Sequence, residues 1–282
     1  MVDSELSAML AGDEHHWWYR GRRRVLRAVL AGVALECGTE LLDAGCGSGR
    51  MLDELAAYGR PVGVDISPDA VAAARARGHR DVALAAVEEL PFAGARFGLV
   101  TCLDVLEHTP DDRRTLRELR RVTRPGGHLL VTVPAYPLLW SRQDEVNRHY
   151  RRYQRRTLLA AAVAAGWAPV HTTYFNTLLL APAAVVRLAT RHTAASTDRS
   201  DLDRTPRSLD TVLEMPMRVE ATLLRHGLRL PAGLSLLALL RNEAPGWNAA
   251  APDQCARSSS RAAVPIHSSS CSAQNARVCA PG

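Results

Sequence analysis

Three glycines at alternate positions, Gly45, Gly47 and Gly49, close a run that begins Leu41-Leu42-Asp43-Ala44. Two apolar residues and an acid leading into such a turn mark a buried strand whose turn opens a helix. Glycine there permits positive φ and lets a ligand lie against bare backbone. Asp43 stands two residues before the first glycine, where its charge would repel a pyrophosphate but suit a ligand that carries an ammonium. Asp65 ends the next apolar run, at the place where a carboxylate can accept both hydroxyls of a ribose. Glu88-Glu-Leu-Pro-Phe92 then follows a third apolar run. The glycines alone would also serve a dinucleotide site; the acids around them narrow the choice.

These groups need a scaffold, and the hydrophobic pattern supplies one. Short, nearly all-apolar runs fall at Glu40–Asp43, Pro61–Asp65, Val82–Ala86, Phe97–Leu103 and His128–Val133. Helical stretches separate them, over Gly49–Tyr58, from Ser67 to about Arg77, and over Asp111–Val122. Ser67 reads as an N-cap with Pro68 at the first helical position, and Gly78 as the stop. Strands alternating with helices of this length give a parallel sheet covered on both faces. The third run therefore ends at the carboxyl edge of the sheet, where open α/β sheets bind ligands.

Around this centre lie two flanks of different character. An amphipathic helix is expected over 18–36, since Val25, Leu26, Val29, Leu30 and Val33 share one side. Trp17, Trp18 and Tyr19 at its start cannot all face one core, so they form either a hydrophobic staple or a lid over a ligand. After Pro134 the pattern changes to aromatics among arginines: Tyr136, Trp140, His149, Tyr150 and Tyr153. Thr157–Ala165 reads as a helix stopped by Gly166, Trp167–Phe175 as a sixth strand, and Gly233–Arg241 as a last buried strand. Residues 177–228 read as mostly helical, with a polar break at Thr193–Ser208. The apolar stretch Leu178–Ala189 fits core packing better than a membrane or partner surface.

The expected architecture is thus an α/β, Rossmann-like, doubly wound sheet within residues 38–243, with insertions at 134–156 and 177–228. Residues 1–37 form an N-terminal helical lid. Residues 244–282 turn to Ala, Pro, Ser and Arg and are expected to be disordered.

The 282 residues can bury a substantial core. No apolar run reaches the length of about 18–20 residues that a bilayer span requires, and Met1–Leu6 lacks the features of a signal peptide. The six cysteines have no Cys-x-x-Cys spacing, so reduced thiols in a cytoplasmic protein are expected. Net charge is +6, and all 35 basic residues are arginine. Nucleic-acid binders concentrate charge on one element; here two clusters, Arg20–Arg27 and Arg142–Arg156, are mixed with aromatics.

Five segments in this order and spacing resemble the motifs of class I S-adenosylmethionine-dependent methyltransferases of the broad type-11 group. They are Leu41–Gly49, Val62-Gly-Val-Asp-Ile-Ser67, Glu89-Leu-Pro-Phe92, Leu103-Asp-Val-Leu-Glu-His108 and Arg124-Pro-Gly-Gly-His-Leu-Leu-Val131. The likeness covers about residues 38–133. Glu14–Trp18 and His149–Tyr153 further resemble a bacterial subgroup with a Glu-x-His-aromatic-Trp opening. The resemblance implies a seven-stranded sheet, mostly parallel with an antiparallel last strand and helices on both faces. It implies S-adenosylmethionine as cofactor, in a site of Asp43, Gly45, Cys46, Gly47, Asp65, Ile66, Val87, Glu88 and Leu103. Gly45, Cys46 and Gly47 would give backbone contacts to the methionine part, Asp65 would hold the ribose, and Ile66 would pack on the adenine. Val87 would give a backbone contact to the adenine edge, and Leu103 one near the methionine amine. Two positions depart from the family. Ala86 stands where relatives have an acid for the adenine amino group, with Glu88 the nearest substitute, and Gly98 stands where relatives have Asp.

For the chemistry, His108 follows the fourth strand on the cofactor side and is either a general base or a helix-start cap. Some quinone-pathway O-methyltransferases of this fold place a Glu-x-x-Glu-His metal site here. Asp104, Glu107 and His108 could hold Mg²⁺ in the same way, although no metal is the simpler expectation. Ten of the 14 aromatics lie outside the cofactor half and before the tail, which places the acceptor against the N-terminal helix and the 134–156 insertion. Trp18, Tyr19, Arg23, Trp140, His149 and Tyr153 are the candidate substrate residues. Arg22, Arg23, Arg151 and Arg152 could bind a phosphate or carboxylate on the acceptor, or form a solvated basic face. The expected partner is a small-molecule or lipid-linked acceptor, with peripheral membrane contact allowed and O-methylation favoured. A metal-assisted O-methyltransferase and a non-catalytic cofactor-binding subunit are the alternatives. Nucleic acid is disfavoured, since no Asn/Asp-Pro-Pro-Tyr motif is present.

Overall fold

The structure, a computed structural model, describes residues 16–190 and 210–243. The tail beyond 243, the first 15 residues with Glu14, and the polar break at Thr193–Ser208 lie outside the described residues.

Seven strands form one sheet in the order β3-β2-β1-β4-β5-β7-β6. They are β1 Glu40–Ala44, β2 Arg60–Asp65, β3 Val82–Leu84, β4 Phe97–Leu103, β5 Thr123–Pro134, β6 Trp167–Phe175 and β7 Ser235–Asn242. β1 pairs in parallel with both β2 and β4, and β7 runs antiparallel between β5 and β6. This is the expected sheet, with the last strand inserted between the two before it. Asp43 stands opposite Gly63 on one side and Thr101 on the other, so the first acid lies at the middle of the sheet's carboxyl edge.

Adjacent residues point to opposite faces, and both faces are apolar. Leu42, Val100, Leu129 and Leu236 pack in one core cluster, while Leu41, Leu99, Leu130 and Leu237 pack in another. The first cluster is covered by helix α4 (Asp112–Val122) through Leu116, Leu119 and Val122, and by α6 (Arg155–Ala164) through Leu158, Ala161 and Ala162. The second is covered by α1 (Trp17–Leu30), α2 (Arg50–Leu55) and α8 (Asp210–Arg225). Helix α3 (Pro68–Ala76) begins as expected, with the Ser67 side chain accepting from the Ala70 amide. Between them lie α5 (Arg142–Val146) in the first insertion and α7 (Leu180–Thr190) in the second.

Helix α1 is shorter than the expected 18–36. Turns at Gly32 and Val33, whose amides bond back to Val29 and Leu30, end it. Its aromatics also pack more fully than the sequence suggested. Trp17 is buried, Trp18 stacks on Phe175 with centroids 5.9 Å apart, and Tyr19 is buried beneath the Arg22 guanidinium. Trp17 and Trp18 share one core cluster because Gly21 lets α1 approach α8 closely; a Cβ there would lie 2.4 Å from the Met217 sulfur. The core-packing expectation for Leu178–Ala189 fails at its start and middle, where Leu178 and Val185 are exposed.

Gly98 is explained by its neighbours. An added Cβ would meet the Thr39 methyl at 2.4 Å and the Arg124 guanidinium at 3.2 Å. The Asp common in relatives has no room here.

Candidate functional site

The glycine turn uses its amides internally. The Gly45 and Cys46 amides donate to the Val64 carbonyl at 2.8 and 2.9 Å, and the Gly47 amide donates to Asp65 Oδ2 at 2.9 Å. With three consecutive donors engaged, what the turn has left for a ligand is carbonyl oxygen, which attracts an ammonium. Gly45, Gly47 and Gly49 all have positive φ, at 86°, 52° and 81°. A Cβ on Gly45 would lie 2.3 Å from a Val105 methyl, so bare backbone is required as well as the turn.

The acids are placed by the same network. Asp43 is buried and accepts from the Thr101 hydroxyl at 2.6 Å. Asp65 accepts from the Ser67 amide at 2.9 Å on its other oxygen, so its half-buried carboxylate is fixed at the end of β2. Next to it Ile66 is exposed, an apolar side chain with one face available to a flat ring. Val87 and Leu103 are buried and Glu88 is half-buried. The Leu-Pro-Phe loop is held by α4: the Leu90 amide donates to Glu118, and Arg121 donates to the Leu90 and Phe92 carbonyls.

After β4 the chain turns sharply. Asp104 has φ 56°, and residues Leu106–His108 form one 3-10 turn. The Val105 side chain that abuts Gly45 ties this turn to the glycines. The first insertion is stitched onto the same segment. The Tyr150 amide donates to the Glu107 carbonyl at 2.8 Å, Arg151 donates to the carbonyls of Thr109 and Pro110, and the Tyr153 hydroxyl donates to Asp112 at 3.0 Å. Its hub is Asp144, fully buried on α5. Asp144 receives the Ser141 amide at 2.8 Å, Arg152 Nε at 2.7 Å and His149 Nδ1 at 2.9 Å. Burial alone would raise this carboxyl, but the bonds from His149 and Arg152 win and hold it at about 2.

As a result, His149 is carried to the other side of His108, with ring centroids 4.6 Å apart and nearly perpendicular. The Glu107, His108 and His149 donor atoms lie within 4.8 Å of one another. Glu107 is buried and its Oε2 has no hydrogen-bond partner; burial, then the Asp104 charge, push its pKa well up. Burial and the neighbouring His149 lower His108 to about 4. It therefore stays neutral at physiological pH, a lone-pair donor rather than a strong base.

Of the three residues that the sequence allowed as metal ligands, with no metal the simpler expectation, Glu107 and His108 lie together, while Asp104 accepts from Arg22 of α1 at 2.5 Å. His149, 45 positions beyond Asp104, lies beside His108 instead. No spacing rule exposes a partner that arrives through an insertion.

The arginines are committed too. Arg20 and Arg24 pair with the buried Glu214, Arg27 with Glu54, Arg151 with Asp112 and Arg152 with Asp144. Arg23, expected to hold an acceptor anion, is buried 3.6 Å from Glu54. Tyr153 is buried in the core cluster beneath α4 and α6, with its hydroxyl on Asp112. Trp18 lies in the opposite helical layer. Of the expected substrate residues, the structure brings His149 to the cluster after β4. Tyr19 is buried beside Arg22, which reaches Asp104 at the end of β4. Trp140 is half-buried at the end of the 3-10 turn Pro137–Leu139.

Residues 42–131 match the family described as a methyltransferase domain. Over 144 residues the chain is 32% identical to a ubiquinone biosynthesis O-methyltransferase of Xanthomonas oryzae pv. oryzae, covering 46% of this chain and 60% of that one. The chain thus spans about 60% of the length of the first curated relatives it matches. Among solved structures it is similar to Haemonchus contortus phosphoethanolamine N-methyltransferase 2 in complex with phosphomonomethylethanolamine and S-adenosylhomocysteine. The TM-score is 0.57 at 17% identity, over 86% of this chain and 59% of that one. A cyclase, SpnF, gives a TM-score of 0.54 at 21% identity, over 85% of this chain and 93% of that one. At such identities these structures speak for the fold.

Proposed function

Residues 42–131 are a class I S-adenosylmethionine-dependent methyltransferase domain, and from that premise we propose that the chain methylates a hydroxyl of a small or lipid-linked acceptor. The observation that carries the reading is the Gly47 amide bonded to Asp65. It turns the amides of the glycine loop inward, leaves carbonyl oxygens for an ammonium, and fixes a carboxylate where a ribose would lie.

The residues present fit the cofactor. Both oxygens of Asp65 are fixed at the end of β2 by backbone amides, and Ile66 is an exposed apolar side chain beside it. In this reading the carbonyls of Gly45 and Gly47, with Cys46 between them, and the buried Asp43 face the methionine end. Leu103 lends a carbonyl nearby, Asp65 holds the ribose hydroxyls, and Ile66, Val87 and Glu88 surround the adenine.

S-adenosylmethionine supplies an electrophilic methyl on a sulfonium. The acceptor oxygen forms the new O–CH₃ bond as the S–CH₃ bond breaks, the bonding pair returns to sulfur, and the hydroxyl proton is released. The chain's task is to hold oxygen and methyl in line and to ease that proton away. Glu107, His108 and His149 are the groups beside the glycine loop suited to this, and His108 acts through its unprotonated nitrogen. Exposed Leu138 and Val185, on segments that pack together, and exposed Leu178 favour a lipid-linked acceptor presented at a membrane surface. No helix among the described residues is long and apolar enough to cross a membrane.

The test is to incubate the full chain with S-adenosylmethionine and matched panels of phenols, catechols, sugars and amines, and to measure S-adenosylhomocysteine. Turnover with hydroxyl acceptors, abolished in Asp65→Ala, is expected. Turnover confined to amines would overturn the O-methylation reading.

A further inference from the structure

We propose that Thr101, on β4, is a positioning residue for the cofactor. By holding Asp43 it sets the preference for a nucleoside that carries an amino-acid end over the same nucleoside without one. The proposal rests on the reading that Asp43 faces the methionine end.

Three observations converge. Asp43 and Thr101 are register partners across β1 and β4, so their side chains stand on one face of the sheet. On the other flank of β1, Asp43 stands opposite Gly63, which has no side chain to offer. Of the two strand neighbours of Asp43, Thr101 alone carries a hydrogen-bonding group. Both residues are buried, and the Thr101 hydroxyl donates to Asp43 Oδ1 at 2.6 Å. The same hydroxyl lies 3.2 Å from the Leu42 carbonyl. It has one proton to give, and the shorter contact to a charged oxygen takes it. Thr101 also carries the one hydroxyl of β4, a strand buried along its whole length.

A buried carboxylate is costly unless its oxygens are bonded. The bond from Thr101 lets Asp43 keep its charge and one orientation in the middle of the sheet's carboxyl edge. With a methyl in place of the hydroxyl, the carboxylate loses that bond in a dry setting. It then takes up a proton or turns toward another donor. Either change removes attraction for an ammonium. The ribose end is untouched, because Asp65 is held by the Gly47 and Ser67 amides and not by β4. The loss is therefore confined to ligands that carry the amino-acid end.

The experiment titrates the full chain by calorimetry with two probes. S-adenosylhomocysteine carries the amino-acid end; 5′-methylthioadenosine shares the nucleoside and the sulfur but lacks that end. Neither needs an acceptor, so the outcome is independent of methyl transfer. Thr101→Val should weaken S-adenosylhomocysteine by at least about tenfold, the usual worth of a hydrogen bond to a charged group. It should leave 5′-methylthioadenosine within about twofold. Thr101→Ser, which keeps the hydroxyl, should bind S-adenosylhomocysteine nearly as the unmodified chain does. Asp65→Ala should weaken both probes, and Asp43→Asn S-adenosylhomocysteine alone. If Thr101→Val does not fold, Thr101→Ala read against Thr101→Ser takes its place. Equal loss of both probes in Thr101→Val, or an equal loss in Thr101→Ser, would make Thr101 a packing residue and overturn the proposal. So would unchanged affinity in Thr101→Val while Asp43→Asn loses S-adenosylhomocysteine, a result that leaves the placing of the methionine end intact. Asp43→Asn without effect on either probe, or no binding of S-adenosylhomocysteine at all, would overturn that placing and the proposal together.

Discussion

His149 Nδ1 lies 2.9 Å from Asp144 Oδ1, inside an insertion that is bonded to the segment after β4 through the Tyr150 amide and Arg151. Asp144 is fully buried and receives Arg152 on the same oxygen. Removing it would leave Arg152, 7% exposed, without its carboxylate. Asp144→Ala should therefore destabilise the chain by about 3–5 kcal/mol, the usual cost of breaking a buried pair. Asp144→Asn should lose less, because the amide oxygen can still accept one bond. Urea denaturation of both variants checks the order.

The approach of α1 to α8 depends on Gly21. Any side chain there meets Met217, which is fully buried. Gly21→Leu should cost about 1–3 kcal/mol through overpacking. Met217→Ala, destabilising alone, should become less so when combined with it. A double-mutant cycle by thermal unfolding reads that compensation; strictly additive losses would mean that the helices do not meet there.

Stability should fall in mild acid. Burial, then the charges of Arg229 and Arg155, lower His171 to about 4, against 6.5 for the free side chain. Burial lowers His128 as well. A depressed histidine pKa means that the unfolded chain binds the proton first as pH falls below about 6.5, so stability is lost progressively down to about 4. His171→Gln should flatten part of this slope between pH 7.5 and 5, measured by urea midpoints. An unchanged slope would show that His171 titrates normally in the folded chain.

The sheet was legible because nearly every strand is apolar on both faces, and such runs separated by helices admit few topologies. The cofactor edge was legible because the turn needs glycine at fixed places and the acids stand at strand ends. Glu214 was not legible: buried on α8, it collects Arg20, Arg24 and Arg218. Two of these come from a helix some 190 positions away in sequence, so a cluster that read as a basic face is internally neutralised. His149 was legible as a polar residue near the acceptor, but not as a neighbour of His108, because α5 and its buried Asp144 set that approach. Leu178 and Val185 misled for a simpler reason. Apolar composition fixes a preference for burial, and only the packing of neighbouring elements decides whether a burial site exists.

The central claim is that the glycine loop and Asp65 hold S-adenosylmethionine at the carboxyl edge of the sheet. Isothermal titration of the full chain with S-adenosylmethionine tests it most directly. One molecule should bind per chain, with affinity weakened at least about tenfold, or about 1.4 kcal/mol, in Asp65→Ala. No binding, or the same affinity in Asp65→Ala, would contradict the account.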